Sequence, residues 1–210
     1  MRLAVQDLAI SRGDLVLAEE LSFAVKRGGA LVVLGENGSG KSTLLRTLAG
    51  LHAPDRGDVS LTIEEERAPV PEHAHYLGHS NAMKSDLSVR ENLTFWFSML
   101  GEGEREGEEE RGGEALLEEA AQALGIAPLL DLPHGYLSAG QRRRAALARL
   151  WVAPRPLWLL DEPTAALDRR SEIIVRDMIE AHRAEGGMVV AATHAPLNLA
   201  DAARLVMGGG

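Results

Sequence analysis

The apolar run Ala30-Leu31-Val32-Val33-Leu34 leads straight into Gly35-Glu36-Asn37-Gly38-Ser39-Gly40-Lys41-Ser42. Thr43 to Ala49 follow, with leucines at helical spacing, and Gly50 stops them. A continuous apolar run of this length reads as a buried parallel strand. Such a strand needs cover on both faces, so strand, glycine loop and helix in that order commit the chain to an α/β fold. The eight residues from Gly35 fit G-x-x-x-x-G-K-[ST], a loop that cradles phosphate. Its glycines let the backbone curl so that several N–H groups point inward at phosphate oxygens, and the helix N-terminus adds partial positive charge there. Lys41 supplies a full charge to the outer phosphates, and the Ser42 hydroxyl can ligate Mg²⁺. The candidate nucleotide contacts are Gly35, Glu36, Asn37, Gly38, Ser39, Gly40, Lys41, Ser42 and Thr43.

A chain of 210 residues suits one domain, or one core with a small inserted subdomain. The absence of Cys excludes a thiolate metal site and a cysteine nucleophile. No apolar run approaches the roughly 20 residues that span a bilayer, and an acid at Asp7 argues against a signal peptide. These features predict a soluble, cytoplasmic chain. The net charge of -9 argues against a general nucleic-acid partner. Part of that charge is local: residues 101–113 read GEGEREGEEERGG, a low-complexity stretch expected to be a solvated, mobile loop, with a partner contact as the alternative.

Taken in order, residues 1 to 33 read as antiparallel strands leading into the core. Leu3/Val5 and Leu21/Phe23/Val25 alternate, and turns are signalled at Arg12-Gly13-Asp14 and Lys26-Arg27-Gly28-Gly29. Pro54 to Asp58 is a turn before a strand at Val59 to Ile63, and Glu64 to Arg67 a solvated tip. His73 to His79 reads as a strand. It would put His73, His75 and, if it continues, His79 on one face, but no carboxylate or thiol accompanies them, so ordinary strand-edge histidines are favoured over a metal site. From Ser88 to about Arg149 the pattern is helical and interrupts the strand–helix alternation, as an inserted subdomain would. Within it Glu114 to Leu124 reads as an amphipathic helix ended by Gly125. Strands at Pro156 to Glu162 and Met188 to His194, with a helix from Asp168 to about Glu185 between them, restore the alternation. With the sequence ending at Gly210, no regulatory C-terminal domain is expected.

Nucleotide hydrolysis needs a metal, a polarised water and charge stabilisation at the γ-phosphate. Asp161 ends an apolar strand, where a magnesium-side carboxylate belongs in phosphate-loop folds. Glu162 beside it can orient or deprotonate the attacking water. His194 ends the next strand, at the carboxyl edge where ligands bind in open α/β sheets, and reads as a γ-phosphate sensor. Leu137-Ser138-Ala139-Gly140-Gln141 opens a helix rich in Arg and Ala. Ser138 and Gln141 fit a capping box, and a helix start with Ser and Gly can also offer N–H groups to a phosphate.

Together these motifs resemble the ATP-binding-cassette (ABC) ATPases over nearly the whole chain. GENGSGKS matches the phosphate loop, LSAGQ the family signature, LWLLDEP the second acidic motif, Ala166-Leu167-Asp168 the D-loop and Thr193-His194 the switch histidine. The resemblance implies an α/β phosphate-loop NTPase fold with an N-terminal antiparallel β-subdomain. It implies a RecA-like core over about 1–80 and 151–210 and an α-helical subdomain over about 81–150. It also implies a head-to-tail dimer, in which Ser138 and Gly140, with Gln141, of one subunit close over ATP held by Lys41 of the other.

A narrower similarity lies in Tyr76 to His79, Leu87 to Leu93, Leu137 to Trp151 and Thr193 to Asn198. These look like the haem-exporter ATP-binding subunits of bacterial cytochrome c maturation. That family implies a peripheral ATPase on the cytoplasmic face of the inner membrane, bound to integral membrane subunits and driving release of haem-loaded chaperone. Two positions depart from the general cassette. His79 stands where the Q-loop Gln would reach the metal, and Arg12 stands where an aromatic ring would stack on adenine. Arg12 is either a base contact or a solvated turn residue. The alternative functions are a soluble cassette ATPase, such as one of iron–sulfur assembly, or the engine of another transporter.

Overall fold

Fifteen α-helices and β-strands are described in a computed structural model covering residues 1–100, 109–194 and 197–208. The chain divides into two compact units: Met1–His79, Arg155–Pro163 and Arg176–Gly210 form one, and Ser80–Pro154 with Thr164–Val175 the other.

The first unit holds two sheets. β1 (Arg2–Arg12) and β2 (Leu15–Lys26) form a hairpin, and β3 (Ala30–Leu34) leads into helix α1 (Lys41–Leu48). β4 (Arg56–Ile63), β5 (Glu66–Ala68), the short helix α2 (Val70–His73) and β6 (Ala74–Leu77) follow. β7 (Leu157–Asp161), β8 (Met188–Thr193) and β9 (Ala203–Val206) complete it. The antiparallel sheet runs β2-β1-β4-β5, and the parallel sheet β6-β7-β8-β3-β9. The antiparallel reading of residues 1 to 33 therefore stops at Lys26. β3 pairs in parallel with β8 and β9.

β1 buries Leu3 and Val5, then Leu8 and Ile10. Odd and even positions face the same way because the register slips between Val5 and Leu8. Asp7 sits in that bulge at φ 47, its amide donating to Ser22 Oγ at 2.9 Å. β7 and β8 are buried at every position, as parallel strands covered on both faces must be. Leu44, Leu45 and Leu48 of α1 cluster with the β1 residues and with Leu159 and Val190. Each fully buried leucine contributes roughly 1.5–3 kcal/mol. The helix ends in a Schellman motif: Gly50, at φ 72, donates to Thr47, and Leu51 donates to Arg46.

The second unit is helical. α3 (Val89–Leu100) and α4 (Glu109–Ala123) pack on α5 (Ala139–Val152), whose run of buried alanines lets the helices approach closely. Gly125 at φ 62 ends α4 by the same Schellman geometry. Arg90 of α3 pairs with Glu114 and Glu118 of α4 and with Asp131. Arg143 and Arg149 of α5 are buried. The Arg149 guanidinium lies 4.8 Å from the Trp96 ring, and burial and Arg143 lower its pKa to about 10. α6 (Arg169–Ala184) opens in this unit, with the Asp168 carboxylate accepting from the Ser171 amide at 2.8 Å.

Several expectations shift. The predicted helix at Thr43 begins at Lys41, because Gly40 supplies the turn. The strand expected over His73 to His79 covers only Ala74–Leu77: Pro69 and Pro71 favour a helical turn, so His73 ends α2 and His79 lies beyond the strand. Residues 109–113 of the predicted acidic loop are helix, since α4 starts at Glu109; residues 101–108 lie outside the described residues. β9 was not expected.

Candidate functional site

Four strands of the parallel sheet deliver chemistry at their carboxyl ends. β3 leads into the loop at 35–42, β6 is followed by Gly78 and His79, β7 ends in Asp161 and β8 is followed by His194. In open α/β sheets this edge is where ligands bind. A cleft of about 310 Å³ is lined by Asn37, Gly38, Gly40, Lys41, Ser42 and Thr43 from the loop side. His79, Asp161 and Glu162 line it from the strand ends, and Arg12, Leu15 and Leu17 from the β1–β2 hairpin.

The loop geometry suits an anion. Gly40 caps α1 at φ 97 and offers no side chain to the N–H groups of the first turn. Buried Lys41 folds back: its Nζ donates to the carbonyls of Gly35 at 2.6 Å and Glu36 at 2.9 Å. The Ser39 amide donates to the Glu36 carbonyl at 3.2 Å. Its hydroxyl is buried and makes no hydrogen bond among the described residues.

Asp161 is buried at the end of β7. Glu162 follows in the left-handed region at φ 48, which costs a non-glycine residue about 1–2 kcal/mol. Its amide donates to Ala192 O at 2.8 Å, which helps hold it there. Its Oε1 accepts from the His194 amide at 3.0 Å and lies 3.0 Å from His194 Nδ1. The two residues assigned separate roles in the sequence are thus direct partners. The backbone amide fixes the carboxylate whatever the charge on the imidazole.

Gly35, Glu36 and His194 line a neighbouring cavity of about 590 Å³ with Asn198 and Arg204. Ala195 and Pro196 of the Thr-His-Ala-Pro-Leu-Asn motif lie outside the described residues. Among the described residues no group of three or more His, Cys, Asp and Glu could hold a metal ion; His73 ends α2 and His75 is buried in β6.

Ser138, Gly140 and Gln141 belong to the helical unit. The capping box is complete: Ser138 Oγ accepts from the Gln141 amide at 3.3 Å, and the Ser138 amide donates to Gln141 Oε1 at 2.8 Å. Ser138 itself is exposed. A Cβ on Gly140 would stand 2.9 Å from the Ala166 carbonyl, so a glycine lets the helix start pack against the D-loop stretch. Sequence reasoning missed Leu15 and Leu17. Their signal is positional, two leucines just past the Gly13-Asp14 turn.

The sequence family described as ABC transporter matches residues 18–165. The cytochrome c biogenesis ATP-binding export protein CcmA of Rhizobium meliloti (strain 1021) is 51% identical over 211 residues, covering 100% of this chain and 99% of that protein. The protein of the same name from Agrobacterium fabrum (strain C58 / ATCC 33970) is 49% identical, covering 100% of this chain and 96% of its own length. A solved structure of the ATP binding subunit of an ABC transporter shares the fold with a TM-score of 0.83 at 22% identity, covering 99% of this chain and 86% of that one.

Proposed function

Because the chain belongs to the ABC transporter family, we propose that its cleft holds ATP with the phosphates on the loop at 35–42 and the base against the hairpin at Arg12. The chain is an ATP-binding, ATP-hydrolysing subunit coupled to transport. Like the relatives it matches over its full length, it serves cytochrome c biogenesis export and works with membrane transporter subunits. Among the described residues no helix is long and apolar enough to cross a membrane. We assign the subunit to the cytoplasmic face of the inner membrane, bound peripherally to integral subunits and powering release of a haem-loaded chaperone. The first unit is the nucleotide-binding core and the second the helical subdomain.

One observation carries the site assignment: the loop, Asp161 and Glu162 line one cleft. The donors fit Mg²⁺. The Ser42 hydroxyl and the buried Asp161 carboxylate are hard oxygens and would hold the ion. When bound, Mg²⁺ neutralises charge on the phosphate oxygens. His79 lines the same cleft and would face the metal site with nitrogen rather than oxygen. Lys41 exchanges its two carbonyl partners for phosphate oxygens. Glu162, held by the His194 amide, orients the attacking water and takes its proton. The His194 imidazole senses the γ-phosphate. Ser138, Gly140 and Gln141 of a second copy close over the nucleotide in a head-to-tail dimer, with no nucleic acid involved.

Glu162→Gln tests this reading, since it keeps the side chain's shape and removes the base. It should bind ATP and elute as an ATP-dependent dimer on size exclusion. In cells it should halt c-type cytochrome assembly while haem synthesis continues. A monomer hydrolysing at the parental rate would remove Glu162 from the mechanism.

A further inference from the structure

The base end of the cleft is built from an unusual pair. Arg12 and Leu15 stand directly opposite each other in the β1–β2 register, on either side of the two-residue turn Gly13-Asp14. Directly opposed residues of an antiparallel pair have neighbouring Cβ atoms on one face of the hairpin. Both line the cleft that contains Lys41, Ser42 and Thr43. Leu15 is 61% exposed at the rim of the cleft. No Phe, Tyr or Trp lines the cleft among the described residues. Phe23, the first of these in the chain, packs against the hydrophobic core instead.

The height of this pair above the phosphate loop is set by Leu17. A Cβ on Gly40 would stand 2.9 Å from Leu17 Cβ, so β2 lies hard against the N-terminus of α1. A purine whose phosphates lie on the loop amides would meet an isobutyl group and a guanidinium. Burying the ring against Leu15 is indifferent to the base. Stacking on the flat guanidinium is nearly so. The edge contacts differ. Arg offers only donors. Guanine presents two acceptors, O6 and N7, whereas adenine presents N7 beside an amino donor.

We propose that the base rests on Arg12 and Leu15 and that this floor accepts guanine at least as well as adenine, which makes the cleft a purine-triphosphate site without adenine selectivity. This rests on the reading of the loop at 35–42 as the phosphate site. Calorimetric titration of the full chain with ATP, GTP and inorganic tripolyphosphate, each with Mg²⁺, tests the two separately. GTP should bind as tightly as ATP or up to about tenfold more tightly, and tripolyphosphate at least about threefold more weakly than either. Arg12→Ala should weaken both nucleotides and GTP the more. Leu15→Ala should weaken both alike, and neither change should alter tripolyphosphate binding. Both side chains are solvent-exposed, so the variants keep the fold. ATP preferred by more than about twofold, or unchanged nucleotide affinities in Arg12→Ala, would overturn the floor and leave the phosphate site standing. Tripolyphosphate binding as tightly as ATP would do the same. Absence of binding by all three would overturn the phosphate-site reading and the floor with it.

Discussion

Gly40 is held by two independent constraints. Its φ of 97 lies where an L-residue costs about 1–2 kcal/mol, and an added Cβ would meet Leu17 Cβ, which is fixed to the β2 backbone and cannot turn away. Gly40→Ala should lower the unfolding free energy from urea titration by at least that amount and weaken nucleotide binding. In Leu17→Gly/Gly40→Ala the steric part is relieved and the backbone part remains. The double variant should therefore lose less than the sum of the singles; strict additivity would show that the contact does not matter. Residues of this kind were legible in the sequence because their chemistry is local. Lys41, Ser42, Asp161 and Glu162 lie in one octapeptide or at one strand end. The bond between Glu162 and His194 was not legible, since it spans 32 positions and depends on Asp161 pairing with Ala192 across β7 and β8. Leu15 and Leu17 read as ordinary strand residues until the hairpin register sets Leu15 opposite Arg12.

At the scale of elements, legibility followed burial. β3, β7 and β8 are apolar up to the polar residues Asp161 and Thr193 that end β7 and β8, because both faces are covered, and a continuous run announces them. β9 escaped because Ala203, Arg204 and Val206 are exposed at the sheet edge, leaving no alternation to detect. β1 was only half legible, since the bulge at Asp7 reverses the phase between Val5 and Leu8. The start of α4 was hidden for another reason. Glu and Gly in a charged run look like a solvated loop, while Arg90 contributes ion pairs further along, at Glu114 and Glu118. That clamp is testable. Its carboxylates raise the pKa of Arg90, and the Asp131 hydrogen bond is the largest contribution. Single exposed pairs contribute about 0.2–1 kcal/mol, so a group of three around one guanidinium should contribute about 1–2 kcal/mol. Arg90→Met keeps the apolar stem and removes the charge. Urea unfolding should show a loss of that size in low salt, shrinking as ionic strength rises. A loss that ignores salt would assign Arg90 to packing instead.

For the whole molecule, acid acts in two opposed ways. The chain carries a net charge of -9 at neutral pH, so lowering the pH first relieves repulsion. His182 opposes this. Its ring stacks on buried Trp158 at 3.8 Å and 4° between planes, and Gly187 packs so closely beneath it that a Cβ would overlap the imidazole. Burial, which disfavours the imidazolium, lowers its pKa to about 4 from an ordinary 6.5. Between those values the unfolded chain holds a proton that the folded chain does not. Stability from this group is therefore complete above pH 6.5 and falls as pH drops toward 4. The slope approaches about 1.4 kcal/mol per pH unit where one full proton separates the two states. His182→Phe keeps a flat ring on Trp158 and removes the titration. Absolute stability can move in either direction with the larger ring, but the pH slope isolates the proton. Urea unfolding at several pH values between 6.5 and 4 should give a steeper acid loss for the parent than for the variant, with the two profiles parallel above pH 7. Parallel profiles throughout would mean that His182 takes its proton in the folded protein, and that the stack on Trp158 opens to water before the fold does.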